Sequence, residues 1–301
     1  MVPAPLSPGR RAALCALALA VAGCSRRPDA PPGAVVIAHF GDSTCSTDYL
    51  PPSSHVDQVL NARLAEHYRG QPVVNVNVCK SGDYVFRFMH ERRLWLLWRT
   101  RYERDVCRSV PRIDIALVRY GDNYRKEVSL DAFESELEEL CDRLLHDYPG
   151  IRIVLETNAY VDPAHNAGGR PNEEYDRVYE IVRRVARARR YPLVDVFARF
   201  RREVSAGNWD LCIRNAKLSH ERFGRQIVDD SEDAAMAAVP HWFRNRHPNV
   251  RAAALTADEE LNTLVATWPD RLPTAREDPS RSGPRAHPGA TAVPPRRPAC
   301  G

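Results

Sequence analysis

The stretch Ala34-Val35-Val36-Ile37-Ala38-His39-Phe40-Gly41-Asp42-Ser43-Thr44 decides the fold. Its first seven residues are almost continuously apolar and rich in β-branched side chains, the pattern of a strand buried on both faces of a parallel sheet. Gly41 then permits a tight strand-to-helix turn that lifts Ser43 to the carboxyl end of the strand. Taken alone, Gly-Asp-Ser is equally a turn whose serine caps the next helix.

Four more runs share that composition: residues 73–78, 113–118, 151–155 and 193–197. Between them apolar positions recur at helical spacing: Val56, Val59, Leu60 and Leu64; Phe133, Leu137, Leu140, Cys141, Leu144, Leu145 and Tyr148; Tyr175, Val178, Tyr179, Val182 and Val185; Leu255, Leu261, Leu264 and Val265. Residues 84–106 also read as helical, with Leu94-Trp95-Leu96-Leu97-Trp98 as interior packing. Alternating strands and helices imply right-handed crossovers. The predicted fold class is α/β, a three-layer sandwich whose five-stranded parallel sheet carries helices on both faces. In such sheets ligands bind beyond the carboxyl ends of the strands, so the chemistry belongs there.

Composition agrees with an enzyme-sized soluble fold. The chain has 301 residues, 44% hydrophobic and 27% charged, which argues against wholesale disorder and against a multi-span membrane protein. A formal charge of +4 over this length is weak. The arginine run at residues 183–190 reads as a solvated helix face, and no nucleic-acid partner is expected.

Both ends lie outside the predicted domain. Arg10-Arg11 followed by the apolar run 12–23 has the pattern of a secretory signal. Its end, Val21-Ala22-Gly23-Cys24, resembles the lipobox of bacterial lipoproteins, which implies diacylation of Cys24 and a mature chain beginning there. An ordinary signal peptide or an uncleaved anchor is the other reading. Residues 24–33 are polar and proline-rich and read as a tether to the membrane. From Pro269 to the end there is no aromatic residue and eight prolines recur, so residues 269–301 are expected to be a disordered tail. That leaves residues 34–268 for the domain. Six of the eight cysteines lie beyond the leader and Cys24. None stands at metal-ligand spacing, so neither a metal nor a cofactor is expected. Cys45 and Cys79 follow strands that should be neighbours and are candidates for a disulfide.

Further residues with chemistry stand at the other strand ends. After the second run comes Cys79-Lys80-Ser81-Gly82, and after the third Tyr120-Gly121-Asp122-Asn123. The Gly82 amide and the Asn123 side chain would face the same spot as Ser43, two neutral donors able to stabilise an oxyanion. Just ahead of the last helical pattern stands Asn245-Arg246-His247-Pro248-Asn249, with Pro248 suited to a first helical turn.

Gly41-Asp42-Ser43, Gly82, Gly121-Asp122-Asn123 and His247-Pro248, in that order, resemble the four sequence blocks of the SGNH (GDSL-like) hydrolases across essentially the whole domain. The resemblance implies a flavodoxin-like fold, with Ser43 as nucleophile, Ser43, Gly82 and Asn123 as the oxyanion hole, and His247 as general base. It further implies carboxyl-ester hydrolysis through an acyl-enzyme, often of O-acetyl groups on carbohydrate, with lysophospholipase or thioesterase activity as alternatives. As a lipoprotein, such an enzyme would sit in the cell envelope, at the outer membrane if the source is Gram-negative. Two positions depart from the pattern. Tyr124 follows Asn123 where the family has aspartate, and Arg244 stands where the family's catalytic acid precedes the histidine by three. Arg244 keeps open a noncatalytic glycan-binding module on the same scaffold. Guanidinium cannot accept a hydrogen bond from the histidine. The expected acceptor is therefore the Arg244 backbone carbonyl, with a displaced carboxylate among Asp229, Asp230, Glu232 and Asp233 as the alternative.

Overall fold

The computed structural model describes residues 30–92, 99–124, 129–166 and 169–275. Five parallel strands form one sheet: β1 (Val35–Gly41), β2 (Val73–Asn77), β3 (Ile115–Arg119), β4 (Arg152–Glu156) and β5 (Leu193–Val194), in the order β2-β1-β3-β4-β5. Every residue of β1 is buried, yet its side chains alternate between two cores. Val36, Ala38 and Phe40 enter one, and Val35 and Ile37 the other.

The first core is closed by α3 (Val85–His90), α4 (Leu130–Asp147) and α5 (Asn172–Arg189). Ser129 caps α4 by accepting the Ala132 N–H at 3.1 Å, and Phe133, Leu137, Leu140, Cys141 and Leu144 form its buried stripe. Leu145 lies off that stripe, 38% exposed. The second core is closed by α2 (Val56–His67), α6 (Val196–Ser205) and α9 (Val250–Thr267). In α9 the buried residues are Ala252, Ala253, Thr256, Ala257, Glu260 and Leu264, while the expected Leu255, Leu261 and Val265 are only partly buried. Small side chains let this helix approach the sheet closely, so that Glu260 reaches the end of β3.

There Arg119 is buried between the side chains of Glu156 and Glu260. Its Nε donates to Glu156 at 2.7 Å, and its Nη2 donates to Glu260. Burial of a guanidinium is tolerable because both acceptors are buried with it. The register sets Arg119 opposite Gly41, and Arg119 Nη1 also donates to the Thr44 carbonyl at 3.4 Å. The closing network therefore touches the turn that carries Ser43.

Three expectations are corrected. The fifth strand stops at Val194 instead of running to 197, because the Asp195 carboxylate accepts the Ala198 N–H at 3.1 Å and starts α6. Residues 84–106 are not one helix: α3 ends at His90, an antiparallel bridge joins Arg92 to Thr100, and a π-helical turn follows at Tyr102–Cys107. The Leu94-Trp95-Leu96-Leu97-Trp98 segment lies outside the described residues. The packed fold also continues past 268. Leu272 is buried, exchanging hydrogen bonds with the Gln71 amide, and the Ala275 N–H donates to Asp114 at 2.8 Å. The leader, Cys24 and residues 276–301 are outside the described residues.

Four of the five arginines in the run at 183–190 form ion pairs. Arg184 pairs with Glu134 and Arg189 with Asp142 across α4 and α5, Arg187 pairs with Glu180, and Arg183 with Asp195 and Asp176. Among the described residues no helix is long and apolar enough to cross a membrane. Two short helices, α7 (Ala216–Phe223) and α8 (Asp233–Met236), form an excursion around Ile227, Met236 and Trp242 before the chain returns at 245–249.

Candidate active site

Ser43 opens α1 (Ser43–Ser46), a single helical turn directly after β1. Asp42 caps it, its carboxylate accepting the Thr44 N–H at 2.9 Å and the Thr44 hydroxyl at 2.7 Å. Burial pushes the Asp42 carboxyl up to about 7, with repulsion from Asp122 adding to the shift. The turn needs glycine at 41 because a Cβ there would stand 2.4 Å from the Arg119 carbonyl oxygen and 2.8 Å from the Cys45 Cβ. As the first residue of the helical turn, Ser43 has a backbone N–H with no intrahelical acceptor.

His247 arrives from 204 residues away, and its Nε2 lies 2.9 Å from Ser43 Oγ. The imidazole is partly buried, with the Tyr49 ring edge-on at 5.2 Å. Burial holds its pKa below the ordinary 6.5; Asp122 and Asp48 oppose that shift, and Arg246 adds to it.

The other nitrogen, Nδ1, lies 2.8 Å from Asn245 Oδ1. This overturns the expected acceptor, which was the Arg244 carbonyl or a displaced carboxylate. Asp230 is exposed, Asp229 accepts the Ser231 N–H, Glu232 pairs with Arg225, and Asp233 pairs with Arg214 and accepts the Trp242 indole N–H. Asn245 prevails because it is two residues from His247 and its orientation is set on both sides. Its Oδ1 also accepts the His247 backbone N–H at 2.9 Å, and its Nδ2 donates to the Arg214 carbonyl at 3.3 Å. Only an amide oxygen can face that N–H and only an amide nitrogen that carbonyl. Since Oδ1 can only accept, Nδ1 carries the proton and Nε2 is left to accept from the Ser43 hydroxyl.

Gly82 and Asn123 stand on the loops after β2 and β3, the two strands that flank β1. Gly82 has φ +74°, the left-handed region that suits glycine. The Asn123 side-chain amide donates to the Asp83 carbonyl at 2.9 Å, tying one loop to the other. Cys45 and Cys79 form a disulfide that links α1 to the first of these loops. Beside His247 opens a cavity of about 740 Å³ lined by Asn123, Tyr124, Asn166, Arg170, Tyr175 and Asn245, among others. Arg246 forms its inner wall, stacked on Tyr175 at 3.4 Å and donating to the Ala159 carbonyl at 2.8 Å.

Asn245 stands one residue away from the family's acid position, which Arg244 occupies three before the histidine. The available signal was an acceptor side chain two before it. The Arg119–Glu156–Glu260 network left no such signal, since its members are scattered over three elements.

A serine hydroxyl hydrogen-bonded to a partly buried, oriented imidazole at the carboxyl edge of a parallel sheet defines the class of serine hydrolases. The sequence model of the GDSL-like lipase/acylhydrolase family matches residues 39–255, and the chain belongs to that family: it is an SGNH-type ester hydrolase. No curated protein sequence matches it. Among solved structures it is similar to Axe2, an acetylxylan esterase from Geobacillus stearothermophilus, at 19% identity over 77% of this chain and 94% of that one, with a TM-score of 0.51. It is also similar to LAE5, an alpha/beta hydrolase enzyme from the metagenome of Lake Arreo, at 20% identity over 76% and 95%, with a TM-score of 0.50. At these identities the likeness establishes the shared fold.

Proposed function

We propose that the protein cleaves short-chain carboxyl esters, with O-acetyl groups on carbohydrate as the favoured substrate class, by way of an acyl-enzyme on Ser43. The observation that carries this reading is the 2.9 Å contact between Ser43 Oγ and His247 Nε2, with the tautomer set from the other side of the ring. Ser43 Oγ attacks the ester carbonyl carbon while its proton passes to Nε2. The carbonyl electron pair moves onto oxygen, which takes hydrogen bonds from the Ser43 and Gly82 amides and the Asn123 side chain. One such donor is worth about 3 to 4 kcal/mol in a protease. The tetrahedral intermediate collapses, the alcohol leaves with the proton from His247, and water repeats the sequence to release the acid and regenerate Ser43.

The polar cavity wall supports the substrate class. Asparagine, arginine and tyrosine side chains offer hydrogen bonds and flat faces suited to a polyhydroxyl alcohol, whereas a long acyl chain would call for apolar walls. The structural likeness to Axe2, an acetylxylan esterase, points the same way. The noncatalytic binding reading rested on Arg244, and Asn245 removes that ground by supplying the acceptor from another position.

Incubation with p-nitrophenyl acetate and a serine-reactive fluorophosphonate should give turnover and one adduct on Ser43, both lost in Ser43→Ala with the fold intact. Turnover that survives in that variant would sink the assignment. The lipobox resemblance of Cys24 supports a lipid-anchored address in the cell envelope, and Cys24→Ser should abolish metabolic labelling with a fatty acid.

A further inference from the structure

We propose that Asn245 is the positioning member of a Ser43–His247–Asn245 triad, an uncharged substitute for the carboxylate that lets hydrolysis continue into weakly acidic solution. The inference rests on the reading of Ser43 and His247 given above.

Three observations converge on Asn245. Its Oδ1 accepts from both Nδ1 and the backbone N–H of His247, so ring and backbone are held by one atom. Its Nδ2 is anchored on the carbonyl of Arg214, whose own position is overdetermined. The Arg214 side chain is buried, fixed by Asp210 and Asp233, and its backbone N–H donates to the Ile227 carbonyl at 3.0 Å. The neighbouring Ile213 N–H donates to the His247 carbonyl at 2.9 Å, so this one segment positions both Asn245 and His247.

Neutrality is what separates this arrangement from one with a carboxylate. An anion in hydrogen-bond contact with imidazole raises its pKa by about 1 to 3 units and so disables the base in mild acid. Here the charges on His247 come from further off. Asp122 on the loop after β3 and Asp48 on the loop after α1 favour the imidazolium; Arg246, its chain neighbour, disfavours it. Tyr49, edge-on to the ring, and Cys212, on the segment bridged to Pro248, are both pushed up by burial and stay neutral. Burial leads, and the base stays unprotonated below the ordinary imidazole value of 6.5.

The experiment measures fluorophosphonate labelling rate and p-nitrophenyl acetate turnover across the titration range of imidazole, using the full chain and the variants Asn245→Asp and Asn245→Ala. The wild-type acid limb should fall below about 6.5, the free imidazole value. Asn245→Asp should move it up by about 1 to 3 pH units while activity at alkaline pH is kept. Asn245→Ala should lower kcat by about tenfold, near the upper end of the worth of one neutral hydrogen bond, with KM nearly unchanged. An Asp variant with an unmoved limb, or an Ala variant with wild-type kcat, would overturn the proposal. Should either variant fail to fold, the ¹⁵N resonances of His247 in the unmodified protein decide: a neutral ring protonated at Nδ1 supports the triad, and one protonated at Nε2 rejects it. Activity persisting in Ser43→Ala would instead strike the underlying reading, so the two failures are distinguishable.

Discussion

Cys45 and Cys79 are joined by a disulfide with their Cα atoms 5.7 Å apart, fastening the helical turn of Ser43 to the loop that leads to Gly82. The bond closes a loop of 34 residues, for which chain entropy gives about 3 to 4 kcal/mol of stabilisation. Cys45→Ala with Cys79→Ala should therefore lower unfolding stability in urea by that order. It should also lower kcat more than it raises KM, because nucleophile and oxyanion donor lose their common brace. A double variant with unchanged kcat would show that the brace serves stability alone.

Gly41→Ala should be among the most damaging small substitutions in the chain. The added methyl would meet backbone at Arg119 and the Cys45 side chain, neither of which is a flexible tip. Soluble protein with normal labelling of Ser43 would contradict the close packing described here.

Glu260 offers a stability test with a definite sign. Burial, followed by repulsion from Glu156, drives its pKa well above 4.5 even with Arg119 beside it. The folded state then holds a proton that the unfolded chain releases above about 4.3, so wild-type stability falls as pH rises from there toward the folded value. Glu260→Gln keeps a neutral group of the same shape. It should be near neutral in effect at mildly acid pH and relatively stabilising in mild alkali, measured by urea midpoints at the two pH values. Arg119→Met leaves the buried Glu156 carboxylate uncompensated and should cost about 3 to 5 kcal/mol.

Asp233 separates support from catalysis. It anchors Arg214 and Trp242 and touches His247 only through them. Asp233→Asn should lower stability by about 1 to 3 kcal/mol, with turnover reduced far less than the about 10⁴ expected of a triad carboxylate. Asp229→Asn and Glu232→Gln should leave turnover within about twofold, as changes on an exposed loop do. A thousandfold loss in a folded variant of any of the three would restore that carboxylate as the third member.

The sheet and its two helical layers could be read in the chain because burial on both faces leaves a one-dimensional mark, a run of β-branched residues ended by glycine or a polar turn. Ser43, Gly82 and Asn123 each stand on the segment that follows such a run, at the carboxyl ends of three adjacent strands. The end of β5 was misplaced because Val196 and Phe197 suit a strand or a buried helix equally. The Asp195 cap, braced by Thr157 and Arg183, settled the matter.

By itself, then, the sequence determined the alternation of strands and helices along the chain and the two-sided burial of the sheet, both of which depend on local composition. Only the tertiary structure decided what supports the histidine and what closes the sheet end. Asn245 is oriented by a carbonyl 31 residues away, and Arg119 donates to the Glu260 carboxyl group 141 residues away. Hydrogen bonds of that kind are selected by geometry in three dimensions. A buried donor or acceptor left without any partner costs more than one bond returns, so partners far apart in the chain are paired only where the packed elements bring them together.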